Sequence, residues 1–486
     1  MWTMPSRWRL RAVVVAMGLA LAGCASMAPP YQRPALPVPE RYQGAAAALD
    51  TAPAAALAWR DFSTDARLNA LVEQALAHNR DLRAAVLRVE EARAAFGIQR
   101  ADRLPAIGAA FDATRARVPG DLNLTGRPII SDQFQLGAGF SSWELDFWGR
   151  VRSLNEAALQ NYLATDAARR AVALGVIAQV ANAYLGVIEF DQRLALARRT
   201  LASREASLRI FRRRVELGAT SRLELTQVEL LWRQAGALVA QMEQARDTQA
   251  HALSLLVGAA VDLPPREERL DGLSLFQELA PGASSELLLQ RPDIIAAEHG
   301  LKAAHANIGA ARAAFFPRIA LTGSFGTASA ELQGLFGGGS QAWRFAPEIA
   351  LPIFDSGRRA AALQLAEVRR EQSVTRYEQA VQSAFRDVSD ALSARRWLGE
   401  QVDILRATQA LQRERARLAK LRYDSGAVRY LEVLDAEREL LAVEQQLLQT
   451  QRARLAAQVA LYSALGGGAL RMPDATPSAP AGAAIE

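Results

Sequence analysis

The chain has 486 residues, enough for two or three ordinary domains. Half of it is hydrophobic but only 7% is aromatic, and Ala, Leu, Arg, Glu and Gln dominate, a mixture that favours long helices over a compact aromatic core. The net charge of +6 rests almost wholly on arginine, since Lys302 and Lys420 are the only lysines, and no dense basic patch with interleaved aromatics is present; this speaks against nucleic-acid binding and for solvated, ion-paired helix faces.

Taken from the N-terminus, Arg7, Arg9 and Arg11 precede the apolar run 12–22, and Gly23-Cys24 follows. A basic segment and a short apolar segment predict a secretory signal peptide over 1–23, too short for a spanning helix. The junction Leu21-Ala22-Gly23-Cys24 resembles the bacterial lipoprotein cleavage box. That resemblance implies Cys24 as the lipidated first residue of the mature chain. With Ala25 rather than Asp after it, the resemblance also implies retention at the outer membrane. The competing reading is an ordinary buried cysteine behind a signal anchor. Cys24 is the only cysteine, so it forms no internal disulfide and no cysteine metal cluster. Residues 24–64, with YQRPALPVPERY at 31–42, read as an extended arm without a core of its own.

From Asp65 one helical pattern runs to about Arg103, just before Pro105. Beyond it the chain repeats itself. DFWGR at 146–150 matches FDSGR at 354–358, LGATSRLEL at 217–225 matches SGAVRYLEV at 425–433, and LLVG at 255–258 matches SALG at 463–466, each pair 208 residues apart. Upstream, Asp81 and Pro105 match Asp293 and Pro317 at a separation of 212. Two homologous halves are therefore expected, over 65–258 and 285–466, joined by a connector over 259–284 and followed by a disordered tail over 467–486.

Their length difference falls between Pro105 and Gly149, where the period changes from helical to two. Residues 133–142 place Phe134, Leu136, Ala138 and Phe140 on one face, with Gln133, Gln135, Gly137 and Gly139 on the other. Residues 343–353 place Trp343, Phe345, Ile349, Leu351 and Ile353 against Arg344 and Glu348. With partner strands at 105–115 and 317–327, each half holds a β-hairpin, over about 105–146 and 317–354, with loop-like tips at 118–131 and 328–341. Pro347 and Pro352 suggest bends or strand limits. The alternation fits strands of an outer-membrane barrel, and equally a sheet half-buried in a soluble domain. Four strands cannot close a barrel and lipid does not tolerate open edges, so strands that span a membrane need several chains in one barrel.

The rest is long helix. Val151 to Leu217 lacks proline, giving a length of about 100 Å at ~1.5 Å per residue, and a second such run extends from Arg358 to about Arg422. Shorter runs, 221–257 and 429–465, follow turns at Gly218 and Gly426. Leu434, Leu441, Leu448, Leu455 and Tyr462 recur every seven residues, a coiled-coil-like seam.

A search for reactive constellations finds no enzyme. His78, His251, His299 and His305 lack metal-site spacing and read as helix-surface residues. GGGS at 337–340 reads as a flexible hairpin tip rather than a phosphate loop. What exceeds a plain helical turn is the cluster after Gly426: Tyr423, Leu431, Asp435 and Arg438, the last three spaced i, i+4, i+7 on one helix face.

The order of lipoprotein box, proline-rich arm, duplicated helix–hairpin–helix halves and YLEVLDAER at 430–438 resembles the TolC-type outer-membrane efflux channels, and more narrowly their lipoprotein branch, the NodT-like outer-membrane factors of tripartite RND efflux systems. WRDFSTDARLNALVEQALAHNRDLRAA at 59–85 and RPDIIAAEHGLKAAHANIGAARAAFFP at 291–317 are similar to that branch, and the similarity spans about residues 24–466. It implies a mainly α fold with transmembrane β: a trimer whose twelve strands form an outer-membrane β-barrel continuous with a long periplasmic α-barrel. It implies a passive conduit for small molecules, partnered by a periplasmic adaptor, an inner-membrane RND-type pump and outer-membrane lipid, with no cofactor beyond the lipid on Cys24. On the matching positions it implies a periplasmic gate at Leu431, Asp435, Arg438 and Tyr423, with Asp435 crowding the axis and Arg438 or Tyr423 holding neighbouring helices together. Gly218 and Gly426 would mark adaptor-docking tips. The first-half counterpart of Asp435 is Gln227, so that half brings no charge to the gate. An exit duct for type I protein secretion and a lipid-anchored periplasmic coiled-coil scaffold are the other readings.

Overall fold

The computed structural model of the chain describes residues 27–42, 57–265, 270, 274–279 and 285–468. The expected signal peptide, Cys24, much of the expected connector and residues 469–486 lie outside them. The chain divides into two compact units, one built from residues up to Ala35, 89–165 and 297–377, the other from 36–88, 166–296 and from 378 onward.

In chain order the helices are α1 (Trp59–Phe62), α2 (Ala66–His78), α3 (Arg80–Ala101), α4 (Arg150–Glu216), α5 (Arg222–Val257), α6 (Pro292–Ala313), α7 (Arg358–Asp424) and α8 (Tyr430–Ala464). The strands are β1 (Gly108–Val118), β2 (Ile129–Glu144), β3 (Arg318–Ser329) and β4 (Gln341–Ala350). The helical pattern expected from Asp65 to about Arg103 is realised as two helices. Asn79 divides them because its Oδ1 accepts from the Leu82 N–H at 2.9 Å while its amide nitrogen donates to the Leu256 carbonyl at 2.8 Å, so a side chain competes for helical bonds at that point.

In the first unit the four strands make one antiparallel sheet in the order β1-β2-β3-β4, leaving β1 and β4 as edges. Register places Ala138 between Ala109 and Phe325, and Phe325 beside Trp343. Phe111, Leu136, Phe325, Trp343, Phe345 and Ile349 therefore share one face, while Asp112, Gln135, Ser324, Arg344 and Glu348 share the other. The β2 face pattern slips once, at a bulge between Phe140 and Trp143 where Ser142 adopts φ 53°. Pro347 neither bends nor ends its strand. Ala328 donates to Ser340 at 2.8 Å, and because antiparallel pairs alternate, Leu321 and Pro347 meet as a non-hydrogen-bonded pair. The proline nitrogen thus faces the open edge, where no donor is missing from the β3 ladder. Pro352 lies beyond the end of β4.

The sheet base is joined to its helices by polar contacts. Glu144 accepts from Arg150 at 2.8 and 2.9 Å and from Arg318 at 2.9 Å. The Trp148 indole donates to the Pro317 carbonyl at 2.8 Å and stacks on Phe316. Asp146 and Asp355 accept from the first backbone N–H groups of α4 and α7, satisfying donors that a helix start leaves unpaired. The arm also has fixed partners. Arg33 and Lys302 both pair with the buried Glu298 carboxylate, at 2.9 Å each, and the Tyr31 hydroxyl donates to it at 3.2 Å.

In the second unit the long apolar stretch of α4 is core: Val180, Ala181, Leu185, Val187 and Ile188 are buried. The last part of the expected arm is helix α1, whose Trp59 and Phe62 enter an aromatic cluster with Phe276 and Tyr462. Phe62 and Tyr462 stack at 4.5 Å, and the buried Tyr462 hydroxyl donates to the Leu57 carbonyl at 3.0 Å. A fully buried ring of this size stabilises by about 2–3 kcal/mol. The connector is likewise part of the core at Phe276, with a β-bridge to Ser63. The ordered chain passes the expected start of the tail at 467, since Gly467 donates to the Tyr462 carbonyl at 2.9 Å. Of the four histidines, His78 and His251 are exposed on helices, whereas His299 bonds Gln160 at 2.6 Å and His305 meets the Tyr31 ring edge at 5.6 Å.

Candidate functional site

Two helical hairpins, α4–α5 and α7–α8, turn at Gly218 and Gly426 within the second unit. Both glycines are left-handed, at φ 69° and 78°. At each turn the glycine N–H returns to the carbonyl three residues back and the next N–H to the carbonyl five back: Gly218 to Val215 and Ala219 to Arg214, Gly426 to Tyr423 and Ala427 to Arg422. This is the closing motif that favours glycine after a helix. The following helices start differently. Ser221 caps α5 by accepting from Glu224 N–H at 3.2 Å, whereas Arg429 offers α8 no side-chain cap.

On the first turns of α8, Leu431 stands 58% exposed and Tyr430 is buried. One helical turn after Leu431, Asp435 accepts from Arg438 at 2.7 Å along its own helix and from Arg415 of α7 at 2.9 Å. All three polar side chains are exposed, so each pair contributes less than about 1 kcal/mol. Within the chain, Arg415 joins Asp435 to α7, and of the two residues expected to hold neighbouring helices together, Tyr423 meets Arg214 of α4 while Arg438 stays on its own helix. Tyr423 belongs to a separate set of contacts. Arg214 of α4 donates to its hydroxyl and lies over its ring, and the ring packs on Tyr430 at 4.9 Å.

Beneath these exposed groups the two hairpins are joined by a buried seam. Leu208, Phe211, Val228, Ala419, Tyr430, Val433 and Leu434 form one apolar cluster. The Tyr430 hydroxyl donates to Ser207 at 2.8 Å, and burial pushes its pKa up. Arg204, with 5% of its side chain exposed, pairs with Glu437 at 2.5 Å. Arg204, Ser207, Phe211, Arg214, Arg415, Tyr430 and Glu437 were not singled out from sequence. Only Tyr430 carried a signal, as the aromatic four residues before the seam position Leu434. The halves are unequal here: Ser207, Val215, Gln227 and Leu230 occupy the first-half positions of Arg415, Tyr423, Asp435 and Arg438. The Asp435 network is thus confined to the second hairpin, and the first supplies the partners Ser207, Phe211 and Arg214.

Comparison with known proteins gives one consistent result. The family described as outer membrane efflux protein matches residues 71–259 and 283–467. The chain is 45% identical over 454 residues to outer membrane protein OprJ of Pseudomonas aeruginosa, covering 93% of this chain and 94% of the other. It is 40% identical to the cation efflux system protein CusC of Escherichia coli, covering 93% and 98%. It is likewise 40% identical to the probable outer membrane lipoprotein SilC of Salmonella typhimurium, covering 95% and 99%. Among solved structures, the open state of the MtrE outer membrane channel of Neisseria gonorrhoeae superposes with a TM-score of 0.83 at 40% identity, covering 91% of this chain and 98% of that one.

Proposed function

The chain belongs to the outer membrane efflux protein family, and from that premise we propose that the paired turns are the periplasmic gate of a trimeric efflux channel. The chain is an outer-membrane channel component whose family conducts rather than catalyses. It works with a periplasmic adaptor and an inner-membrane RND-type pump, as a passive conduit without a cofactor. Three copies of the four-stranded sheet supply the twelve strands of a barrel, which gives the two open edges of each sheet their partners. The apolar face of the sheet then meets lipid and the face carrying Asp112, Gln135, Arg344 and Glu348 lines water. Cys24 carries the covalent lipid.

The observation that carries the gate assignment is the Asp435 network: an exposed carboxylate tied by Arg415 and Arg438, one turn from an exposed leucine. Three such carboxylates and three Leu431 side chains at the axis narrow the closed channel. Exposed ion pairs are weak enough for differential adaptor contacts to replace. The buried Tyr430 seam keeps each chain's hairpins together while the surface pairs exchange. Gly218 and Gly426 offer the adaptor two left-handed turns of nearly the same backbone form. Substrate choice belongs to the pump, since the conduit needs only a wide polar wall.

Single-channel recording in planar bilayers tests the gate. Leu431→Ala with Asp435→Ala should raise the closed-state conductance, and an unchanged conductance removes these residues from the gate.

A further inference from the structure

We infer that the base of the barrel is sealed between copies by an apolar seam, in which residues Leu104–Ile107 of one chain pack against residues Leu351–Phe354 of the next. The inference rests on the trimeric barrel proposed above and adds where its chains grip each other beyond the strands.

In the four-stranded sheet, β1 and β4 are the strands with an unpaired edge among the described residues. The sheet is an antiparallel meander, so closing it across copies sets β4 antiparallel to the next chain's β1. The end of β4 at Ala350 therefore comes beside the start of β1 at Gly108, both at the base. Neighbouring strands lie ~4.8 Å apart and advance ~3.3 Å per residue. The residues just past these two ends, Leu351 and Ile107, are thus within side-chain reach of each other.

Both flanking segments are apolar and unpartnered in a single chain. Leu104 and Ile107 are 72% and 74% exposed, and Leu351, Ile353 and Phe354 are 52%, 91% and 86% exposed. Each segment also contains a proline, Pro105 or Pro352, which cannot donate to a ladder. Backbone pairing therefore stops near the strand ends and side chains must make any contact beyond them. A cavity of about 460 Å³ opens beside Leu351 and Pro352, its wall formed by apolar groups such as Trp148 and Phe316 together with the charged Glu144, Asp146, Arg150 and Arg318. Leu351 and Pro352 line it at the end of β4, where Ile107 and Ala106 of the next chain arrive. Large exposed apolar groups gathered at an edge that must be paired mark an interface, and continuity with the strand pairing selects a second copy as the occupant.

The test places the photo-reactive residue p-benzoylphenylalanine at Ile107 in the full chain, with half the subunits isotopically heavy. Native electrophoresis first establishes that the protein is trimeric. After irradiation and trypsin digestion, the expected product joins the peptide 104–115 of one isotope to the peptide 345–358 of the other. The same residue placed at Phe354 should give the reciprocal product. Adducts confined to one isotope, or to phospholipid, in a protein that is trimeric would overturn the seam and leave the trimer standing. Loss of the trimer in both variants, with the wild type also not trimeric, would overturn the reading on which the seam rests. A trimer lost only when Ile107 is replaced, and retained with reciprocal adducts at Phe354, would support the seam.

Discussion

Replacing Glu437 by Gln should loosen the turns more than any change at the exposed Asp435 network. Arg204 of α4 has 5% of its side chain exposed and Glu437 of α8 29%, and they meet at 2.5 Å. The substitution keeps the volume but leaves a buried guanidinium without its carboxylate. Breaking a buried pair in this way costs about 3–5 kcal/mol. Glu437 is partly open to solvent, which places this case near the lower end, about 3 kcal/mol, or roughly 100-fold in a local opening equilibrium. Hydrogen exchange read by mass spectrometry over 205–216 and 430–440 measures that opening. The expected result is a protection loss of about two orders of magnitude in Glu437→Gln, with the sheet residues 108–118 unchanged. The double variant Arg204→Met with Glu437→Met should recover most of it, because the surrounding Leu208 and Val433 are apolar and a well-packed apolar pair often replaces a buried ion pair at little cost. Protection within threefold of wild type in the single variant would refute the reasoning. So would a double variant as loose as the single one, since that would locate the effect in packing rather than in an uncompensated charge.

Two further outcomes follow from the same geometry. Gly426 has φ 78° and open space where a Cβ would stand, so its substitution is a matter of backbone strain rather than collision. Gly426→Val should cost about 1–2 kcal/mol and lower the helical melting temperature in detergent, while Gly426→Asn stays close to wild type; an equal loss in both would point to packing at the turn. The Glu298 clamp on the arm predicts an acid limit. Burial pushes this carboxyl up, but Lys302 and Arg33 outweigh it and hold the pKa below the ordinary 4.5. A depressed carboxyl stabilises above its unfolded value and loses that contribution as pH falls through its folded value, so the arm should loosen only below about pH 4.5. Exchange of the 31–33 amides, corrected for intrinsic rates, should rise there in wild type, and a Glu298→Gln variant should be loose and flat at every pH. A Glu298→Gln arm as protected as wild type at neutral pH would show that Glu298 is not what holds it.

The local features of this protein were legible because each is written in neighbouring residues. Period-two runs at 133–142 and 343–353 located β2 and β4, the glycines at 218 and 426 located the turns, and the absence of proline from 151 to 217 foretold α4. The internal offset of 208 residues tied these into halves, and YLEVLDAER located the exposed gate candidates. Local signals misled where a tertiary contact decided. Asn79 splits a helical pattern through a bond to Leu256, 177 residues away. The connector and the arm read as loops, yet Phe276 and Phe62 stack against each other in the core. Pro347 read as a strand limit because the sequence does not say which edge of a strand will be open.

The amino-acid order by itself determined the elements, their duplication and the apolar and polar faces of the strands, since periodicity and backbone preference act over a few residues. Only the tertiary structure decided that Arg415 ties Asp435 to the neighbouring helix, and that Arg204, Ser207 and Phe211 of the first half serve Glu437 and Tyr430 of the second. Arg204, Ser207 and Phe211 lie more than 200 residues from the residues they meet across the repeat. Their pairing depends on how two hairpins pack, and no local pattern records it.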